Sequence, residues 1–206
     1  MHKNFPKNQH KTAKNHIIYG LHSVEAALLN KKRGHNELII HENQRGLKEK
    51  YKSKIKKIRI LDNKEFKKLY GTEQSTQGIV LITEDFNRPT IDEFLINEKA
   101  QLKSVIIVLD QITDPQNIGS IMRSCALFKC KAVITSKDNA PNLTPSLLKA
   151  ASGAVELVNY YKVTNLRRTI NNFKKNGYWI YGFDNSGKTT SNLNFEKKSV
   201  LVFGSE

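Results

Sequence analysis

Residues 105–123 constrain the fold more than any other part of this 206-residue chain. The segment begins with an unbroken apolar run, residues 105–109, which is typical of a strand buried on both faces of a parallel sheet. Asp114 and Pro115 then predict a helix start, because a carboxylate caps free backbone N–H groups and the proline ring fixes φ near its helical value. A buried strand followed directly by a helix indicates a βα unit.

The same alternation continues toward the C-terminal end of the chain. The predicted elements are a helix at 117–128, a strand at 132–135, a helix at 145–151, a strand at 154–158, a helix at 164–175, and strands at 179–183 and 200–203. Strands that alternate with helices predict a parallel sheet with helices on both faces. We therefore assign residues 104–206 to an α/β domain with a parallel sheet.

Residues 17–83 predict a second, smaller α/β domain. Its expected elements are helices at 22–29, 47–55 and 63–69, the last capped by Asn63, and strands at 37–40, 58–61 and 78–82. Residues 84–103 are expected to link the two domains. Residues 1–16 have four lysines and almost no apolar content, so they predict a disordered basic arm. The arm is either a non-specific RNA tether or a terminus without a role.

The charge of the chain is unevenly distributed. The net charge is +15, and the first 83 residues hold 18 Lys/Arg against 7 Asp/Glu. An excess of this size favours a polyanionic partner, because phosphates neutralised by cationic side chains release their condensed counterions. The alternative interpretation is a lysine-rich surface that only keeps the protein in solution.

Several classes of protein are disfavoured by composition. No apolar run approaches the roughly 18 residues that cross a bilayer, and the N-terminus lacks the apolar segment of a secretory signal. The expected location is therefore the cytoplasm, with no membrane partner. Cys125 and Cys130 are the two cysteines, without a second pair or a histidine at ligand spacing, so we expect buried free thiols and no metal site.

The motif Asp-Pro-x-Asn-x-Gly-x-x-x-Arg at residues 114–123 resembles the first signature motif of the SpoU (TrmH-like) RNA ribose methyltransferases. Residues 19–28 and 77–80 are similar to the substrate-binding domain that precedes the catalytic domain in this family, although Thr76 stands where histidine is usual. Residues 144–156 also resemble the family. The resemblance extends over residues 17–206.

The resemblance implies a methyl transfer from S-adenosylmethionine to a ribose 2′-hydroxyl of RNA. It places Arg123 beside the target ribose and phosphate. Because a guanidinium stays protonated, binding a phosphate or stabilising the forming alkoxide suits Arg123 better than acting as a base. Asn117 is expected to orient Arg123 or the ribose, and Glu206 completes the catalytic set. The alternatives are a surface ion pair for Arg123 and a helix cap for Asn117.

The resemblance also implies a pocket for the methyl donor at the strand ends, with Gly182, Phe183 and Gly204 as binding residues. Residues 201–206 match the beginning of the second family motif, and the sequence stops at Glu206 before that motif and a third one are complete. We therefore expect a methyltransferase domain that lacks its C-terminal knot region. The homodimer typical of the family is expected to be weakened accordingly.

Two functions remain open on the sequence. The first is an RNA 2′-O-ribose methyltransferase, with ribosomal RNA favoured over tRNA and a guanosine of 23S ribosomal RNA as target. The second is a non-catalytic RNA-binding protein of the same ancestry. A generic nucleotide-binding protein is disfavoured, because no predicted strand is followed by Gly-x-Gly-x-x-Gly or by a complete phosphate-binding loop.

Overall fold

A computed structural model describes residues 15–84, 88–138, 140–185, 187 and 193–204. The chain divides into two compact units, residues 1–87 and 88–206. The predicted basic arm lies outside the described residues as far as residue 14, and the first strand begins at Asn15. No described helix is long and apolar enough to cross a membrane.

The first unit is a four-stranded mixed sheet flanked by short helices. The strand order is β1-β4-β2-β3, and β2 and β3 are the parallel pair. Its elements are β1 Asn15–Tyr19, α1 Leu21–Leu29, β2 His35–His41, a 3-10 turn at Glu42–Gln44, α2 Leu47–Tyr51, β3 Ile58–Leu61, α3 Asn63–Tyr70, α4 Glu73–Thr76 and β4 Ile79–Glu84.

The core of the first unit follows from the apolar composition of its inner strands. Ile39 of β2 and Val80 of β4 pack with Phe66 of α3, and all three are fully buried. The neighbouring residues Leu38 and Leu81 are also fully buried. Because successive strand residues point to opposite faces, the two inner strands are covered on both sides.

Two local predictions for the first unit were wrong. Asp62 rather than Asn63 caps α3, since the Asp62 carboxylate accepts the Glu65 N–H at 2.8 Å. The helix expected over residues 47–55 ends at Tyr51, whose side chain is buried and anchors it. Both errors are shifts of an element boundary, which polar sequence alone defines poorly.

The second unit is a parallel sheet with helices on both faces, as predicted. The strand order is β7-β6-β5-β9-β8 and every pair is parallel. Its elements are α5 Ile91–Glu98, β5 Ser104–Leu109, α6 Pro115–Leu127, β6 Ala132–Ser136, α7 Pro145–Ala150, a 3-10 turn at Ala154–Glu156, β7 Asn159–Val163, α8 Leu166–Lys175, β8 Trp179–Phe183 and β9 Lys198–Phe203.

The two faces of this sheet are covered differently. On one face, Ile106 and Val108 of β5 pack in a cluster with Phe94 of α5 and Phe173 of α8. On the other face, α6 lies beside β5, and an apolar groove of about 550 Å³ lies between α6 and the strands β5 and β9. The groove is lined by Val105, Ile107, Leu109, Ile112, Ile121, Ser124, Cys125, Phe128, Cys130, Leu201 and Phe203.

Two segments of the second unit differ from expectation. The segment predicted as a strand, residues 154–158, begins with a 3-10 turn at Ala154–Glu156 that follows Gly153 at φ 88°; β7 begins at Asn159 instead. Val155 and Val158 are buried, which explains the misleading apolar pattern. The segment expected as a linker, residues 84–103, contains α5, whose Phe94 is buried in the core.

Candidate active site at the ends of the central strands

A cavity of about 410 Å³ lies at the carboxyl ends of β5 and β9. From β5 the chain proceeds outward through β6 to β7, and it occupies the other side of β5 only with β8 and β9. Open parallel sheets bind ligands where the strand order changes direction in this way. The cavity is lined by Gln111, Ile112, Thr113, Asp114, Asn117, Ser120, Ile121 and Gly204.

The start of α6 forms one wall of this strand-end cavity. The Asp114 carboxylate accepts the Gln116 N–H at 3.0 Å, and Pro115 occupies the first helical turn, so Asp114 is the predicted cap. The Asp110 N–H donates to the Phe203 carbonyl at 2.9 Å. This bond keeps the ends of β5 and β9 side by side where the cavity opens.

Asn117 and Gly204, predicted to bind substrate and methyl donor, are brought together in the strand-end cavity. Both are exposed. The Asn117 amide has no hydrogen-bond partner among the residues that the structure describes, and the cap of α6 is Asp114. An unpaired amide and a residue without a side chain leave room and hydrogen-bonding capacity for a ligand. Glu206, the third predicted catalytic residue, lies outside the described residues.

Arg123 occupies a different position from Asn117 on the same helix. Six residues at 100° per residue place the two side chains about 120° apart around α6. Arg123 is exposed, lines neither the strand-end cavity nor the apolar groove, and forms no ion pair within the described ranges. Its guanidinium is therefore a free cation on the outer face of α6, available to an anionic partner.

Gly119 holds α6 against α7. A Cβ atom at Gly119 would lie 2.6 Å from the Ala150 Cβ, 2.9 Å from the Ala151 nitrogen and 2.9 Å from the Leu147 oxygen. Because two of these atoms are backbone, the neighbouring helix has no side chain to move aside. The glycine of the motif is thus a packing residue, and it lets α6 lie close against α7.

The predicted donor-binding residues of β8 lie one strand away from the cavity. Phe183 stacks on Phe203 with ring centroids 4.6 Å apart, and Phe203 lines the apolar groove. Phe195 packs against Phe183 at 6.4 Å. Gly182 is exposed, and a Cβ atom added to it would meet open space. Neither Gly182 nor Phe183 lines the strand-end cavity.

The strand-end cavity and the apolar groove adjoin each other. Ile112 and Ile121 line both. The first space has a polar lining that includes Asn117 and the second is almost wholly apolar, so the combined site presents hydrogen-bonding groups at one end and hydrocarbon at the other. Such a division suits a ligand with a polar and an apolar part.

Three polar residues of the cavity were not predicted from the sequence: Gln111, Thr113 and Ser120. Gln111 has φ 58°, an uncommon value for a residue with a side chain, and it turns the chain between β5 and α6. Thr113 directly precedes the motif and Ser120 occupies one of its variable positions, so only their place in the sequence could have indicated them. No group of three or more His, Cys, Asp or Glu side chains that could hold a metal ion occurs among the described residues.

In the first unit, the two stretches that resemble a substrate-binding domain lie against each other. The Gln77 side chain accepts the Leu21 N–H at 2.8 Å, and the Gly20 N–H donates to the Thr76 carbonyl at 3.1 Å. Thr76 is buried, and its hydroxyl donates to the Thr72 carbonyl at 3.0 Å. Thr76 therefore stabilises its own helical turn and presents no group to a substrate.

Comparison with known proteins agrees with this architecture. The family model for the SpoU rRNA methylase family matches residues 104–206, and the model for the RNA 2′-O ribose methyltransferase substrate-binding domain matches residues 17–89. The 23S rRNA (guanosine-2′-O-)-methyltransferase RlmB of Coxiella burnetii is 32% identical over 196 residues, covering 92% of this chain and 78% of RlmB.

Solved structures of the family share the fold. The SpoU methyltransferase AviRb from Streptomyces viridochromogenes, solved in complex with AdoMet, gives a TM-score of 0.74 at 16% identity and covers 93% of this chain and 74% of its own. An AdoMet-bound rRNA methyltransferase from Sinorhizobium meliloti gives 0.67 at 16% identity, covering 93% and 71%. The sheet order and these structural likenesses show that the second unit has the α/β fold of the SpoU methyltransferases. The chain belongs to the SpoU family of RNA methyltransferases.

Replacing Gly119 with alanine should destabilise the second unit by about 1–3 kcal/mol, because the added methyl group overpacks the contact with α7. Urea unfolding followed by circular dichroism measures this loss. Gly182→Ala is the matched control, since its Cβ meets open space in the same unit. Equal stability of the two variants would show that α6 does not depend on close contact at Gly119.

Proposed function

We propose that this protein transfers a methyl group from S-adenosylmethionine to a ribose 2′-hydroxyl of RNA. The observation that carries the proposal is the strand-end cavity, which brings Asn117 of the first motif and Gly204 of the second together at the carboxyl ends of β5 and β9. These two residues are far apart in sequence and in different motifs. Their meeting at the ligand edge of a parallel sheet supports a common site.

The chain's own residues suit the methyl donor. A cavity of about 410 Å³ lies in the range of small-molecule sites, and its polar side chains offer amide and hydroxyl groups to a nucleoside and an amino acid. Gln111, Thr113 and Asn117 would hold the donor, with Gly204 allowing close approach of the backbone. When bound, S-adenosylmethionine supplies an electrophilic methyl group on a sulfonium.

Arg123 is proposed to act on the RNA rather than on the methyl donor. Its free guanidinium on the outer face of α6 can bind the phosphate beside the target ribose and stabilise negative charge as the 2′-hydroxyl loses its proton. Because the guanidinium is protonated at any working pH, the proton must leave to another acceptor. Arg123 thus binds the phosphate and favours the alkoxide.

Asn117 would lie between the two substrates. Its amide can donate to and accept from the ribose, and it has no competing partner among the described residues. Positioning lowers the barrier to methyl transfer when it holds the hydroxyl in line with the methyl group, roughly 3–3.5 Å away. Asn117 is therefore assigned the orienting role and Arg123 the electrostatic one.

The first unit is proposed to bind the RNA backbone. Five of its exposed lysines, which lie before and after β3 in the sequence, form no ion pair with the acids that the structure describes: Lys54, Lys56, Lys64, Lys67 and Lys68. The 32% identity to a 23S ribosomal RNA guanosine methyltransferase favours ribosomal RNA and a guanosine as the target. A homodimer in the cytoplasm is part of the same proposal.

One observation favours an alternative, a protein that binds RNA without methylating it. Arg123 lines neither the strand-end cavity nor the apolar groove, so its link to the reacting atoms depends on how RNA docks on α6. Calorimetry with S-adenosylmethionine separates the two functions. Heat of donor binding is expected for the methyltransferase, whereas RNA binding without donor heat would establish the alternative.

Replacing Arg123 with alanine should lower methyl transfer about 10²–10³-fold, the usual loss when a group that stabilises developing negative charge is removed. The free energy of unfolding should change by less than about 0.5 kcal/mol, because Arg123 is exposed and forms no ion pair with the residues that the structure describes. Transfer of radiolabelled methyl groups into ribosomal RNA measures the rate, and urea unfolding measures stability.

The matched control is Arg167→Ala, which removes an exposed arginine from α8 on the opposite face of the sheet. Its methyl transfer should equal that of the unaltered protein. Full activity of Arg123→Ala would contradict the electrostatic role, and an equal loss in both variants would indicate a general effect of charge.

The logarithm of the RNA association constant should fall linearly with the logarithm of the salt concentration. The number of phosphates bound sets the slope. The double variant Lys54→Gln, Lys56→Gln should lower the slope by about 0.7–0.9 for each contact removed. Filter binding at several salt concentrations measures it. Lys174→Gln, Lys175→Gln makes the same charge change on α8 and should leave the slope unaltered. An unchanged slope in the Lys54→Gln, Lys56→Gln variant would exclude these two lysines as phosphate contacts.

A further inference from the structure

The two cysteines of the chain meet in a helix-terminating motif. Helix α6 ends at Leu127, and Lys129 follows with φ 58° in the left-handed region. The Cys130 N–H donates to the Cys125 carbonyl at 2.8 Å, and the Lys129 N–H donates to the Ala126 carbonyl at 3.2 Å. These paired bonds define a Schellman motif, in which the side chains at the positions of Cys125 and Cys130 face each other.

The thiols interact directly. A hydrogen bond from the Cys125 thiol lowers the pKa of Cys130, while the same bond, together with burial, raises the pKa of Cys125. Of the two thiols, Cys130 is therefore the one that loses its proton more readily. A more acidic thiol beside a less acidic one is the arrangement of an attacking and a resolving cysteine.

Both thiols border the apolar groove. Cys125 and Cys130 are only 3% and 8% exposed, yet each lines the groove of about 550 Å³ beside β5. The surrounding side chains, such as Ile107, Phe128 and Leu201, are apolar. A small uncharged molecule can enter such a space, whereas a large charged disulfide such as oxidised glutathione is disfavoured by its size and by desolvation.

We propose that Cys125 and Cys130 are an oxidisable dithiol that reacts with small hydroperoxides to form a reversible intrachain disulfide. The Cys130 thiolate attacks one peroxide oxygen, the O–O bond breaks, and the released alkoxide or hydroxide takes up the proton that Cys130 had lost. The Cys130 sulfenic acid is then attacked by the Cys125 sulfur. The S–S bond forms, the S–O bond breaks, and water leaves with the Cys125 proton.

The two thiols together lose two electrons and two protons, and the hydroperoxide is reduced to an alcohol and water. The new bond needs little movement of the backbone, because the hydrogen bond between Cys130 and Cys125 already closes the six-residue loop. A disulfide requires Cα atoms about 4.4–6.8 Å apart, a separation compatible with that closed loop. Oxidation would tie the last turns of α6 to Cys130, two residues before β6.

Tryptic mapping tests the proposal directly, because Lys129 lies between the cysteines. Cleavage after Arg123, Lys129 and Lys131 separates Cys125, in peptide 124–129, from Cys130, in peptide 130–131. The native chain treated with hydrogen peroxide should give these two peptides linked, lighter by two hydrogen atoms, and dithiothreitol should release them. A 1:1 complex of the reduced chain with phenylarsine oxide, which bridges two neighbouring thiols, is the second expected result.

Cys125→Ala removes the resolving thiol and should leave a sulfenic acid at Cys130 that dimedone traps, while Cys130→Ala should react far more slowly. Circular dichroism checks that each variant folds, and the mapping of the unaltered chain stands without them. Linked peptides that appear only between two chains, or only after unfolding in urea, would overturn the proposal. Oxidation of both thiols to sulfinic acids without a link would overturn it as well.

Discussion

The close contact between Gly119 and α7 is the constraint on which the second unit depends most. A helix that lies on the backbone of its neighbour cannot slide or rotate without creating either a clash or a void. Because the Ala151 nitrogen and the Leu147 oxygen lie 2.9 Å from the position of a Cβ atom, α6 lies closer to α7 than any residue with a side chain would allow. The strand-end cavity and the apolar groove both take one wall from this helix, so their dimensions follow from the same contact.

The elements that the sequence predicted well are those in which one local signal is strong. The apolar run of β5 and the Asp114–Pro115 start of α6 each have a single physical interpretation, and both were confirmed. The strand predicted at residues 154–158 was wrong, because buried residues can give an apolar pattern without forming a strand. Val155 and Val158 are buried, but a 3-10 turn follows Gly153. Asp62 and Asn63 are both good caps, and only the hydrogen bond to Glu65 distinguishes them.

Some residues of the candidate site could be predicted from the sequence, but their spatial arrangement could not. Asn117 and Gly204 could be named from their motifs, whereas their meeting in one cavity depends on β9 lying beside β5, a pairing between distant segments. Likewise, Gln111 lines the cavity because the chain turns after β5, and Ser120 lines it because it lies on the side of α6 that faces the cavity. The place of Phe183 is set by stacking on Phe203, which requires β8 to lie next to β9. Sheet order, not residue type, decides these positions.

One helix thus joins three chemically distinct surfaces. The start of α6 faces the strand-end cavity through Asn117, its outer face carries the exposed cation of Arg123, and its C-terminal cap joins Cys125 to Cys130. An α-helix of 13 residues is short enough to move as a rigid body, since its backbone hydrogen bonds resist bending over three or four turns. A covalent bond at its end therefore acts on the same body that carries Asn117 and Arg123. Any displacement that the disulfide imposed on α6 would reach the proposed ribose contact through the helix itself, and Gly119 limits that displacement to what the contact with α7 allows.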